Sequence, residues 1–118
     1  MQILAATDFS TRSYRALRRA GLLARACSAE LSLVHVVDDD QPPDLVAIET
    51  REAERILAEQ IAAMAELQSL RSRPMVIVGD PFDGILRTAT AVQADLIVRG
   101  RTANSFCRMS SSGRQSSA

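Results

Sequence analysis

The sequence contains no lysine: all 14 of its basic residues are arginines, and 14 Asp and Glu balance them. With no net charge, no overall field draws the molecule toward nucleic acid or an anionic membrane. Arg12, Arg15, Arg18, Arg19 and Arg25 share one segment, where they read as a solvated helix face rather than as an anion site. Long apolar runs are also missing. Nothing approaches the roughly 20 residues needed to span a bilayer, and the opening MQILAATDFS has no charged leader, extended apolar stretch or cleavage site. There are only two cysteines, Cys27 and Cys107, and their separation matches no metal-binding spacing. Cys27 is expected on the apolar side of a helix as a small core residue. These absences point to a cytoplasmic protein in a reducing compartment, with neither nucleic acid nor membrane as a partner.

Short chemical motifs are absent too. The chain has no GxxxxGK[ST] phosphate loop, no GxGxxG, no GxSxG elbow and no HExxH. Its one histidine, His35, lies mid-strand with no carboxylate, serine or cysteine spaced to form a triad, and reads as a packed, hydrogen-bonded side chain.

What is present is a core. Of 118 residues, 47% are hydrophobic, enough for one domain that buries roughly 65% of its unfolded surface. Residues 2–7 read as a buried strand ending at Asp8, and Ser10 suits an N-cap. Ala16, Leu17, Ala20, Gly21, Leu23, Ala24 and Cys27 then recur at helical spacing up to about Ser28. Leu31 to Val37 is a second apolar strand, stopped by Asp38, Asp39, Asp40, Gln41 and two prolines. A long helical pattern follows from about Leu45 to Leu70. Pro74 to Val78 is a third strand. Asp80-Pro81 predicts an N-cap with proline at the first helical position, and Ile85, Leu86, Ala89 and Val92 are expected on that helix's buried face. Asp95 to Val98 is a fourth strand. Apolar strands alternating with amphipathic helices predict an α/β fold: a doubly wound, open parallel sheet of four strands. The tail from Thr102 onward lacks apolar periodicity and reads as polar and disordered. On this reading the outer edge of the fourth strand faces an empty position, as though the chain stopped one unit early.

Ligands of such sheets bind beyond the carboxyl ends of the strands. There, Asp8 can accept hydrogen bonds from a ribose or a base amine, or can cap the helix behind it. Val36 and Val37 can wall a base or belong to the core. The Asp38–Asp40 run can hold a hard cation such as Mg²⁺, but neighbouring residues do not converge on one ion, and a solvated loop is the favoured reading.

Four segments in series, ILAATDFS, LSLVHVV, VIVGDP and ADLIVRGR, resemble the strand signatures of the universal stress protein family over about residues 2–103. The resemblance divides the chain into an incomplete α/β domain at 1–103 and, at 104–118, a remnant of a phosphate loop with a polar tail. It implies an adenine-nucleotide binding module of the stress response, with ATP or AMP and Mg²⁺ as ligands, and at most weak ATP hydrolysis. In the family's ATP-binding branch the fourth strand enters a loop of pattern G-x2-G-x9-G-[ST]. Gly100 matches the first glycine, Ala103 stands at the second, Gly113 matches the third, and Arg114 replaces the hydroxyl residue. By the same resemblance Asp8 contacts the ribose or adenine, Val36 the base, and Ala6, Thr7 and Arg99 line the cleft.

Ala103, Arg114 and the short tail depart from the pattern, so nucleotide binding is expected to be weakened. The family's fifth strand commonly pairs two subunits, and without it the expected homodimer lacks its pairing element. The alternative is a member of the fold that binds no nucleotide and acts through protein contacts, or a fragment without function. An ATP-splitting enzyme of the related α/β type would need a glycine-rich loop after the first strand, where this chain has TDFSTRS.

Overall fold

Gln2–Ala6 forms the central strand, β1, and every side chain after Gln2 is buried, because strands flank it on both edges and helices cover both faces. The computed structural model describes residues 1–100 and the backbone of residues 106–108. After β1 come α1 (Thr11–Cys27), β2 (Glu30–Asp38), α2 (Pro43–Ala63), a 3₁₀ turn (Ala65–Leu67), β3 (Ser72–Gly79), α3 (Pro81–Ala91), β4 (Leu96–Val98) and β5 (Phe106–Arg108). The strands lie in the order β3-β2-β1-β4-β5. β1 runs parallel to β2, from Gln2↔Glu30 to Ala6↔Val34, and parallel to β4, from Ile3↔Leu96 to Ala5↔Val98. β3 is parallel to β2 on its other side. These are the four parallel strands the sequence predicts.

The position beside β4 is not empty. Phe106–Arg108 pairs with it antiparallel, with Val98 opposite Phe106 and Leu96 opposite Arg108. The expectation of an unpaired outer edge on β4 is corrected accordingly. β5 is three residues long, too short for the two-residue alternation of a strand to emerge from its sequence.

The side chains of β1 alternate between two cores. Ile3 and Ala5 join Leu31 and Leu33 of β2 beneath Leu17, Ala20 and Ala24 of α1 and Leu57 of α2. Leu4 and Ala6 face the other way, where Val34, Ile97 and Ala89 of α3 meet them. Leu17 and Leu57 are almost wholly enclosed, and each such leucine stabilises the fold by about 2 kcal/mol relative to an exposed one. Arg12, Arg15, Arg18, Arg19 and Arg25 lie on the exposed side of α1, and Arg18 Nε pairs with Glu66 Oε2 at 2.9 Å.

Local chemistry sets the helix ends. Ser10 Oγ accepts the Ser13 N–H, and Asp80 Oδ2 accepts the Asp83 N–H, both as N-caps. Pro81 follows at the first helical position. At the far end of α1, Ser28 is left-handed at φ 54° and its N–H reaches the carbonyls of Ala24 and Arg25. Ala29 N–H also bonds to Ala24 O at 2.8 Å. The chain therefore turns inward at Ala29, which is buried. Cys27 is left exposed, contrary to its expected place in the core.

Two further expectations change. The pattern from Leu45 to Leu70 is not one helix: α2 ends at Ala63, Met64 is extended, and the 3₁₀ turn follows. The Gln68 side-chain amide donates to the carbonyls of Ile61, Ala62 and Met64, satisfying acceptors that the helix end leaves free. In α3 the buried face is made of Gly84, Thr88 and Ala89, with Ile85 and Val92 packed beside them, while Leu86 is exposed. Among the described residues, no helix is long and apolar enough to cross a membrane.

Candidate functional site

β1 leads to β2 and β3 on one side of the sheet, and the chain then crosses back to place β4 on the other. Such a reversal leaves a crevice at the carboxyl ends of the strands. A cleft of about 440 Å³ opens there. β1 and its loop contribute Ala6, Thr7 and Asp8; β2 contributes Val34, His35 and Val36; β4 leads into Arg99 and Gly100. The first turns of the two helices close it, through Ser13 of α1 and through Pro81, Phe82 and Ile85 of α3 beside Asp80.

The loop Asp8-Phe9-Ser10 is held by side chains bonding to nearby backbone. Thr7 Oγ1 accepts the Phe9 N–H at 3.0 Å, and Asp8 Oδ1 accepts the Ser10 N–H at 2.9 Å. Ser13, itself buried, donates its hydroxyl to Asp8 Oδ1 at 2.6 Å and accepts the Asp8 N–H at 3.1 Å. Burial pushes the Asp8 carboxyl up, but the hydrogen bonds from Ser10 and Ser13 outweigh it and bring the pKa from 3.8 down to about 2. Asp8 is therefore a carboxylate at neutral pH. It caps this turn through Oδ1, which takes both the Ser10 N–H and the Ser13 hydroxyl.

Phe9 pays for the turn with a left-handed φ of 66°, which costs a non-glycine residue roughly 1–2 kcal/mol. Its ring stacks on His35, with centroids 4.2 Å apart. His35 Nδ1 lies 2.8 Å from Thr7 O. A carbonyl only accepts, so the proton sits on Nδ1. His35 is thus the packed, hydrogen-bonded histidine that its sequence position suggests, and it clamps the loop bearing Asp8.

Two glycines bring the walls together. A Cβ on Gly84 would lie 3.0 Å from both Val36 methyl carbons, so its absence lets α3 settle onto β2. A Cβ on Gly100 would lie 2.5 Å from the carbonyl carbon and oxygen of Arg12, so the end of β4 touches the backbone of α1.

The structure gathers Ala6, Thr7, Asp8, Val36, Arg99 and Gly100 in one cleft. Val37 is not in its lining and is buried in the sheet. Ala103, Gly113 and Arg114 lie outside the described residues. Sequence reasoning missed Ser13, Phe82 and Ile85. Ser13 had a signal in the spacing Asp8-x-Ser10-x-x-Ser13, whereas Phe82 enters only through the tertiary approach of α3. Asp38, Asp39 and Asp40 are exposed, and Asp38 Oδ1 accepts the Asp40 N–H, as in a solvated loop. Among the described residues, no group of three or more His, Cys, Asp or Glu is arranged to hold a metal ion.

The chain matches the family model of the universal stress protein family over residues 1–113. No curated protein matches it significantly. Among solved structures it is similar to a protein of that family from Burkholderia pseudomallei, at 30% identity and a TM-score of 0.72, over 85% of this chain and 80% of the other. It is also similar to the universal stress protein of Archaeoglobus fulgidus solved in complex with dAMP. That pair shares 27% identity and a TM-score of 0.67, over 84% of this chain and 79% of the other. Universal stress protein UspA from Lactobacillus plantarum shares the fold, at 23% identity and a TM-score of 0.75, over 88% of this chain and 81% of that one.

Proposed function

We propose that this chain, which belongs to the universal stress protein family, holds an adenine nucleotide, AMP or ATP, in the cleft at the carboxyl ends of β1, β2 and β4. It acts as a binding module of the stress response rather than as a catalyst. The observation that carries the reading is the division of the cleft. One side bears an ionised, exposed carboxylate, Asp8, suited to accept from a ribose hydroxyl or base amine. Another bears the apolar wall of Val34, Val36 and Ile85, suited to a base, and Arg99 supplies a guanidinium suited to a phosphate. The complex of the Archaeoglobus fulgidus relative with dAMP supports the same ligand class.

His35 serves the binding site by bracing it: its Nδ1 is engaged with Thr7 O and its ring is stacked on Phe9, which holds the loop that carries Asp8. Ala103 and Arg114, at positions where the family's phosphate loop carries glycine and a hydroxyl residue, favour a weak complex. Titration calorimetry with AMP, and with ATP plus Mg²⁺, tests this. A saturable heat with micromolar or weaker affinity is expected. The absence of binding at millimolar nucleotide would contradict the reading, and submicromolar affinity would contradict its account of the loop.

A further inference from the structure

The large exposed hydrophobic side chains include Phe82, which is 60% exposed and also lines the cleft. It sits in the first turn of α3, next to Pro81 and one turn before Ile85. Gly84, whose missing Cβ lets α3 rest against the Val36 methyls, brings this turn up to β2. Phe82, Ile85 and Val36 thereby form an apolar part of the cleft lining.

Charge disfavours phosphate on that side. Both helix starts that face the cleft are already capped by their own side chains: Ser10 Oγ takes the Ser13 N–H, and the Asp80 carboxylate takes the Asp83 N–H. Asp80 also adds a negative charge beside Phe82. Arg99, the only arginine lining the cleft among the described residues, belongs to the β4 side. An amphipathic ligand therefore lies with its anionic end toward β4 and its flat, apolar end toward α3.

We infer that Phe82 is a base-stacking residue: its ring covers the base of the bound nucleotide against the Val36 and Ile85 wall. This inference rests on the nucleotide-binding reading above and adds the residue that selects a flat heterocycle over a bare sugar phosphate. A ring already at the surface loses little by moving over a ligand, and base–aromatic stacking is among the larger contributions available to a small binding site.

The chain contains no tryptophan, so Phe82→Trp introduces a single indole at the cleft mouth. AMP and adenosine are expected to quench its emission saturably, and ribose 5-phosphate to leave it unchanged. In parallel calorimetry, Phe82→Ala should weaken AMP binding about tenfold, with Phe82→Trp retaining it. Because Phe82 is exposed, both variants should melt with the parent protein. If the parent binds AMP while Phe82→Ala binds it equally well, or the Phe82→Trp emission ignores AMP, Phe82 does not stack and the nucleotide reading survives without it. If the parent itself binds no AMP, the nucleotide reading and this inference fall together.

Discussion

Gly100 stands against the carbonyl group of Arg12 so closely that a single added carbon would lie 2.5 Å from it. The contact is backbone to backbone, between the end of β4 and the first turn of α1, and neither partner is a flexible side-chain tip. Gly100 thus has a structural task that is independent of any ligand: it lets the β4 exit lie beside the loop that carries Asp8.

Gly100→Ala should therefore destabilise the fold by about 1–3 kcal/mol through overpacking. Urea denaturation of the two proteins measures it as a lower midpoint at unchanged slope. Equal midpoints would mean that β4 and α1 can part without cost.

Asp8 makes stability depend on pH in a defined window. Its folded pKa of about 2 lies below the ordinary 3.8, so folding favours the charged form. That contribution is complete above pH 3.8 and is lost as the pH falls through about 2. Asp8 is exposed, and solvent screening leaves a contribution on the order of 1 kcal/mol. Asp8→Asn keeps an oxygen for the Ser10 and Ser13 donors but does not titrate. The stability difference between parent and variant should accordingly shrink as the pH drops across this window in acid denaturation series. A difference that stays constant would show that the charge of Asp8 is not what the loop stabilises.

Arg99 should act on the phosphate and not on the base. Arg99→Ala is expected to weaken AMP binding about tenfold and to leave adenosine binding unchanged, because only the nucleotide offers an anion for the guanidinium. Added salt should weaken the parent's AMP binding more than the variant's. Equal losses for AMP and adenosine in calorimetry would mean that Arg99 shapes the cleft and does not contact phosphate.

The parts of the molecule legible in the sequence are those governed by short-range rules. Ser10, Asp80 and Pro81 could be assigned to helix starts because a cap acts within three residues of itself. β1, β2 and β4 were legible because enclosed strands read as continuous apolar runs, and β3, at the sheet edge with no buried residue, because Met75 to Val78 is equally apolar. Asp8 and Val36 follow from where such strands end, and Arg99 from the family resemblance. The misses share a different cause. Cys27 fits the spacing of the buried face, yet the left-handed turn at Ser28 sends Ala29 inward in its place. Leu86 is apolar, but the contact surface of α3 is built from Gly84, Thr88 and Ala89, whose small size matters more than their hydropathy. The break at Met64 depends on the Gln68 amide reaching back to α2, and Phe82 reaches the cleft only once Gly84 has met Val36. Each of these depends on packing between elements, which a single sequence does not display.

The most direct test of the account is an amide chemical-shift map of the isotope-labelled protein titrated with AMP. The account predicts saturable shifts concentrated at Ala6, Thr7 and Asp8, at Val34 to Val36 and at Arg99 and Gly100, with the exposed arginine face of α1 and the body of α2 unmoved. Shifts centred on those outer helix faces, or none at millimolar AMP, would contradict it.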